Sequence, residues 1–375
     1  MTKVNAIEVI DSGVVYRNPQ PHLRSRHAYF PTAVELPSGE LLVAFDLGSA
    51  FEAIDVRSYC SRSSDGGQTW TEPELIFHPS EDNHPVSTTC RVGAIDHEEL
   101  LAWGCLYDRT RVNEGIGNPR TDGFCPTDFV TLRSRDGGRT WSPPQPVRLP
   151  VGWTGFETCA PPFAIGDGRL LIVTCPLPDW EGRSSPWRQD GMAFGSLDRG
   201  ETWSEFVHVF RNGSLPITAF EQALTRLSDG RFVAVCWTYH QVERVSKQNR
   251  VAFSRDGQNF GESIATPLKG ETCRLLGLPE DLVIAVYRRI DEPGLWAQLA
   301  RIQNERWIPL QDLQLWTGTA LHGTESQSSG AIAQMSKLRF GCPAVLQQRN
   351  GDVFVVFWCV EDCVSVIRWF RLRCA

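Results

Sequence analysis

The chain is predicted to be all-β, a six-bladed β-propeller of four-stranded blades closed by its own N-terminal strand, and three observations carry that prediction. The stretch Ser63-Ser64-Asp65-Gly66-Gly67-Gln68-Thr69-Trp70 returns with little change at 134–141 and 196–203, and in shortened form as Ser254-Arg255-Asp256-Gly257-Gln258-Asn259-Phe260. A second pattern, an apolar strand, a Gly or acidic turn and a still more apolar strand, occurs six times. The composition fits both: 32 Gly, 24 Pro and 13 Trp in 375 residues, with no long apolar run, favour short strands and tight turns.

Each eight-residue copy has a physical reading. The Asp closes a turn by accepting bonds from backbone N–H groups just ahead, Gly takes the positive φ that such turns need, and the Trp starts the next strand as an apolar wedge. Four copies flanked by strand-like sequence indicate a repeat architecture. Because a catalytic motif is not needed four times, the copies are expected to be structural. The six hairpins span 31–45, 91–103, 160–174, 222–237, 273–287 and 343–358, with turns at Gly39, Glu98, Gly168, Gly230, Asp281 and Gly351, 51 to 70 residues apart. A unit of that length holds four short strands: the two of the hairpin, one before the eight-residue turn and one after it. The last unit runs out of chain after the strand at 364–373. The segment 6–16 has the needed strand character and is expected to join that unit and close the ring. Residues 1–375 then form one domain.

A net charge of −7 opposes a general affinity for nucleic acid or anionic membranes. Residues 1–11 lack both a basic region and an apolar core, so a cytoplasmic location is expected. The twelve Cys are scattered through apolar strands and are read as reduced, buried thiols. No zinc, phosphate-loop or dinucleotide motif occurs, and neither a metal nor a cofactor is expected.

In a propeller the loops at one end converge on the axis, so residues just before each inner strand and just after each second strand should share a pocket. Acids and arginines collect at those positions. Glu221, Asp46, Glu52, Tyr29 and His240 are the candidate catalytic residues. Arg26, Arg91, Glu157, Arg274, Arg288, Arg339 and Tyr239 are the candidate substrate contacts. Glycoside cleavage needs an acid for the leaving oxygen and a base or nucleophile opposite, and an acidic sugar also calls for guanidinium groups.

The eight-residue pattern resembles the Asp-box, or BNR repeat, of the sialidase superfamily, and the likeness in blade count and box placement covers nearly the whole chain. The resemblance implies a carboxylate-binding Arg two positions before the Pro that opens blade one, where this chain has Tyr29-Phe30-Pro31. It implies a blade-four Glu just before the inner strand, which Glu221 matches, and a proton donor in the blade-one loop, which Asp46 or Glu52 would supply. It implies a second Arg where Tyr239 and His240 stand, and a nucleophilic Tyr where the nearest match is Phe340. Arg288, Arg289 and Arg339 are candidates for the third Arg. The expected activity is therefore a glycoside hydrolase on a non-sialic or atypical acidic sugar, with a small carbohydrate as partner. The alternatives are a non-catalytic propeller that binds a glycan or protein, and a uronate lyase in which Tyr29 or His240 removes a proton.

Overall fold

The computed structural model describes residues 6–79, 84–97, 99–318, 332, 335 and 337–374. Six four-stranded antiparallel sheets are arranged as blades around an axis. In blade one the inner strand His27–Glu35 pairs with Leu41–Gly48, which pairs with Arg57–Ser63, and the short Glu74–Leu75 forms the outer edge. The inner strands of blades two to six are Val86–Ala94, Phe163–Gly166, Ile217–Arg226, Gly270–Leu278 and Phe340–Gln347. Five of the six expected hairpin turns join first and second strands as read from the sequence, and the one at Glu98 lies outside the described residues.

The ring closes as expected. Ile7–Tyr16 pairs antiparallel with Val364–Cys374 and becomes the outer strand of the blade whose inner strand is Phe340–Gln347. First and last segments of the chain thus share one sheet, which leaves no open edge between the ends of the ring.

Second strands such as Leu41–Gly48, Leu282–Arg289 and Val353–Glu361 are almost wholly buried because both of their faces meet neighbouring blades. Their sequences accordingly read as continuous apolar runs rather than as alternation. Six apolar clusters fill the spaces between successive blades, for example Leu42, Val92 and Leu132 between blades one and two, and Ile284, Val355 and Val366 between blades five and six.

The eight-residue turns help to seal these interfaces. In the second copy the Ser134 hydroxyl donates to Asp136 and accepts from Gly138 N, while Thr140 N and Oγ1 both donate to the Asp136 carboxylate. Gly138 lies directly against Leu42 of the preceding blade and Gly200 against Leu101, so a Cβ at either position would collide with a leucine. Trp203 is 3 % exposed and meets Trp103 edge-on at 5.0 Å. Strand direction alternates within a blade, so these turns lie at the end of the propeller away from the loops that lead into the inner strands. All twelve cysteines are unpaired, eight of them fully buried.

Candidate functional site

At the end of the axis where the inner strands begin, side chains from all six blades surround a cavity of about 210 Å³. A repeated backbone irregularity aims four of them. The inner strands of blades one, four, five and six each break register, between Tyr29 and Thr32, Phe220 and Ala223, Glu271 and Arg274, and Gly341 and Ala344. Within each break one residue has positive φ: Phe30 at 53°, Glu221 at 46°, Thr272 at 51° and Cys342 at 42°. A bulge of this kind re-aims a side chain, and a non-glycine residue held at positive φ costs about 1–2 kcal/mol. The same strain is repeated four times around one axis, and all four side chains line the cavity.

Glu221 is the centre of the polar wall. Its backbone N donates to Glu157 Oε2 at 2.8 Å, its carbonyl accepts from Arg274 Nη1 at 3.3 Å, and its carboxylate accepts from the Thr272 hydroxyl. Burial, and then the neighbouring Glu221 charge, push the Glu157 carboxyl up to about 8, so it is neutral at pH 7 beside Glu221. Cys342 Sγ lies 4.0 Å from Glu221 Oε1.

On the blade-one side, Asp46 is fully buried. Its Oδ1 accepts from Ser58 at 2.5 Å, and its Oδ2 accepts from Thr89 at 2.5 Å and from Arg91 at 3.3 Å. Burial pushes its carboxyl up and Arg91 opposes this, but with both oxygens accepting, the geometry is that of an ionised carboxylate. Asp46 therefore fixes Arg91, whose guanidinium lies 5.2 Å from the centre of the Phe30 ring. Glu52 is different. Burial raises its carboxyl, Arg109 counters this, and its Oε1 is enclosed without a hydrogen-bond partner among the described residues.

The other cavity arginines are also held. Arg274 donates to the carbonyls of Cys159 at 2.5 Å, Cys273 at 3.0 Å and Glu221 at 3.3 Å. Arg288 bonds Glu271 through Nε and Nη2 and the Phe340 carbonyl through Nη1. Phe51, Phe124, Phe220 and Trp237 supply apolar faces.

Of the residues expected at the site, Glu221, Asp46, Glu52, Arg91, Glu157, Arg274 and Arg288 line the cavity, and five do not. Tyr29 is 4 % exposed in the core between blades six and one, edge-on to Phe51 and Trp358, because the bulge presents Phe30 instead. Phe340 is likewise buried, against Trp316, and the blade-six side chain that reaches Glu221 is Cys342. Tyr239 packs among Phe220 and Trp237. His240 Nδ1 accepts from Glu243 N, and its Nε2 lies 3.3 Å from the Glu243 carboxylate, so it braces its own turn. Arg26 lies over the Tyr59 ring at 5.2 Å, and Arg339 is exposed. Phe30, Thr272 and Cys342 were missed because a bulge adds one residue and inverts the alternation after it. The only sequence signal for Phe30 and Cys342 is the Pro that follows each.

The propeller fold has counterparts among solved structures. The K499G mutant of NanB sialidase from Streptococcus pneumoniae superposes with a TM-score of 0.66 at 12 % identity, over 96 % of this chain and 70 % of that one. The fold is sialidase-like. The same propeller occurs in a protein of unknown function from Dyadobacter fermentans, with a TM-score of 0.72 at 20 % identity over 98 % of this chain and 99 % of that one. A Trypanosoma rangeli sialidase, in complex with 2,3-difluorosialic acid as a covalent intermediate, gives 0.62 at 13 % identity over 92 % of this chain. This sialidase-like chain spans about half the length of that protein, 54 %. No protein-family model matches the chain, and no curated protein matches it.

Proposed function

We propose that this sialidase-like propeller is a carbohydrate-active enzyme, a glycoside hydrolase acting on a non-sialic or atypical acidic sugar. The observation that supports it best is the set of unlike carboxyl groups in one cavity: Glu221 beside a neutral Glu157, and Glu52 across the axis with one oxygen that has no partner among the described residues. Blade one faces blade four in a ring of six, so Glu52 and Glu221 approach a bound sugar from opposite sides. Glu52, whose carboxyl burial raises, is the group that gives a proton to the leaving oxygen, and Glu221 acts as base. The aromatic faces receive the apolar side of the ring.

The arginines bear on the substrate class. Arg274 and Arg288 spend their donors on carbonyls and on Glu271, and Arg91 is tied to Asp46 through Nη1. Bonded in this way, the three present fewer free donors to a sialic carboxylate, which favours a sugar of lower charge. The same engagement favours a second reading, a glycan-binding propeller without turnover.

The test is nitrophenol release from a panel of aryl glycosides and glycuronides that includes a sialoside. Wild type is compared with Glu221→Gln and Glu52→Gln. Release by wild type that falls at least about 100-fold in both variants is expected. Efficient sialoside cleavage overturns the substrate class. Absence of release from every member overturns the enzyme and leaves the binding module, to be followed by calorimetric titration of glycans.

A further inference from the structure

We propose that Cys342 is the nucleophile of this site, forming a thioglycosyl enzyme with Glu221 as its base; this rests on the glycoside hydrolase reading. Cys159 and Cys342 both line the cavity and are only partly buried, and of the two it is Cys342 whose sulfur lies against the Glu221 carboxylate. Cys60, Cys90, Cys105, Cys236, Cys273 and Cys359 lie inside strands, 0–2 % exposed, and pack in the cores between blades. Cys342 is only half-buried, lines the cavity, and sits at a bulge with φ of 42°, a conformation that a packing residue does not need. Its sulfur faces the Glu221 carboxylate at 4.0 Å, and the guanidinium groups of Arg274, Arg91 and Arg288 all bear on it.

A second feature of the cavity points to a ligand independently. Thr88 is 1 % exposed and lines the same space, yet its hydroxyl has no hydrogen-bond partner among the described residues. A buried hydroxyl left unsatisfied is costly, and a sugar hydroxyl seated in the cavity would satisfy it.

Burial and the Glu221 charge push the thiol up to about 12 while the three arginines pull it down, so the resting group is a thiol and attack needs a base. In the first step the Cys342 proton passes to Glu221 Oε1, sulfur bonds to the anomeric carbon, the glycosidic C–O bond breaks, and the leaving oxygen takes the proton of Glu52. In the second step water attacks the anomeric carbon and gives a proton to Glu52. The S–C bond breaks, and Glu221 returns its proton to the sulfur. Each group ends as it began, and water is the only co-reactant. The guanidinium groups stabilise the departing thiolate.

The experiment uses the full chain and the glycoside panel, with Cys342→Ala, Cys342→Ser and Glu221→Gln compared with wild type for release and for melting temperature. In parallel, wild type is incubated with the 2-deoxy-2-fluoro derivative of the responsive glycoside and analysed by peptide mass spectrometry. Loss of release by about 100-fold or more in both cysteine variants, and one glycosyl increment on the peptide holding Cys342, are expected. Full release by Cys342→Ala together with an inactive Glu221→Gln overturns the thiol and leaves the hydrolase standing. An increment mapped to a carboxylate does the same, even where a cysteine variant fails to fold. No release from any glycoside by wild type overturns the hydrolase and the thiol with it.

Discussion

Replacing Glu157 by Gln should make the protein more stable at alkaline pH, by an amount that grows with pH. Burial and the Glu221 charge hold the Glu157 carboxyl at about 8, against an ordinary 4.5. Between those two values the folded chain keeps a proton that the unfolded chain has released, so folding stability falls as pH rises through this window. The contribution is complete below about 4.5 and gone above about 8. At about 1.4 kcal/mol per unit the whole interval sets a ceiling of about 5 kcal/mol. Glu157 keeps some solvent contact and shares its proton environment with Glu221, which brings the expected loss nearer 2 kcal/mol. Gln has the same shape, its carbonyl still accepts from Glu221 N, and it has no proton to lose. Urea unfolding of wild type and Glu157→Gln at pH 5, 6.5 and 8 measures the difference directly. The two should unfold at similar urea concentrations at pH 5 and diverge by about 2 kcal/mol at pH 8, the variant being the more stable. A gap that is constant with pH, or that closes toward pH 8, refutes the description of Glu157 as a carboxyl kept neutral by its surroundings.

Two further outcomes follow from the packing. Asp46→Ala leaves Arg91 charged and buried without its partner, and should cost about 3–5 kcal/mol in urea unfolding; a cost under about 1 kcal/mol would show that the pair does not hold the arginine in place. Trp203→Ala empties the interface between blades two and three and should cost about 3–5 kcal/mol. Because Trp203 lies at the end of the blades away from the cavity, the turnover of whatever protein remains folded should match wild type, and a selective loss of turnover would contradict that placement.

The architecture was legible because its determinants are local. The Ser, Asp, Gly and Thr of an eight-residue turn satisfy one another within seven positions, as Ser134, Asp136, Gly138 and Thr140 do, so the motif survives in the sequence wherever the turn survives in space. Continuous apolar runs such as Leu282–Arg289 mark the doubly covered second strands, and counting them gave six blades. Even the closure by Ile7–Tyr16 could be read, since a blade short of one strand at the C-terminus must take it from the other end.

The site was legible only in part. Glu221, Arg274 and Arg288 reach the cavity because their positions follow from where strands begin and end. Tyr29 and Phe340 were expected there as well, and the bulges turned both into the cores between blades. A bulge leaves almost no mark in one sequence, yet shifting the register by one residue exchanges the buried face for the exposed one. Tertiary structure alone decided that Phe30, Thr272 and Cys342 point at the axis. It also decided that Asp46 and Glu271 neutralise the arginines beside them, and that Glu157 lies against Glu221 from 64 positions away. Local chemistry thus determined the fold of this chain, whereas the charge state and reach of each side chain in the cavity depend on groups that only the closed ring brings together.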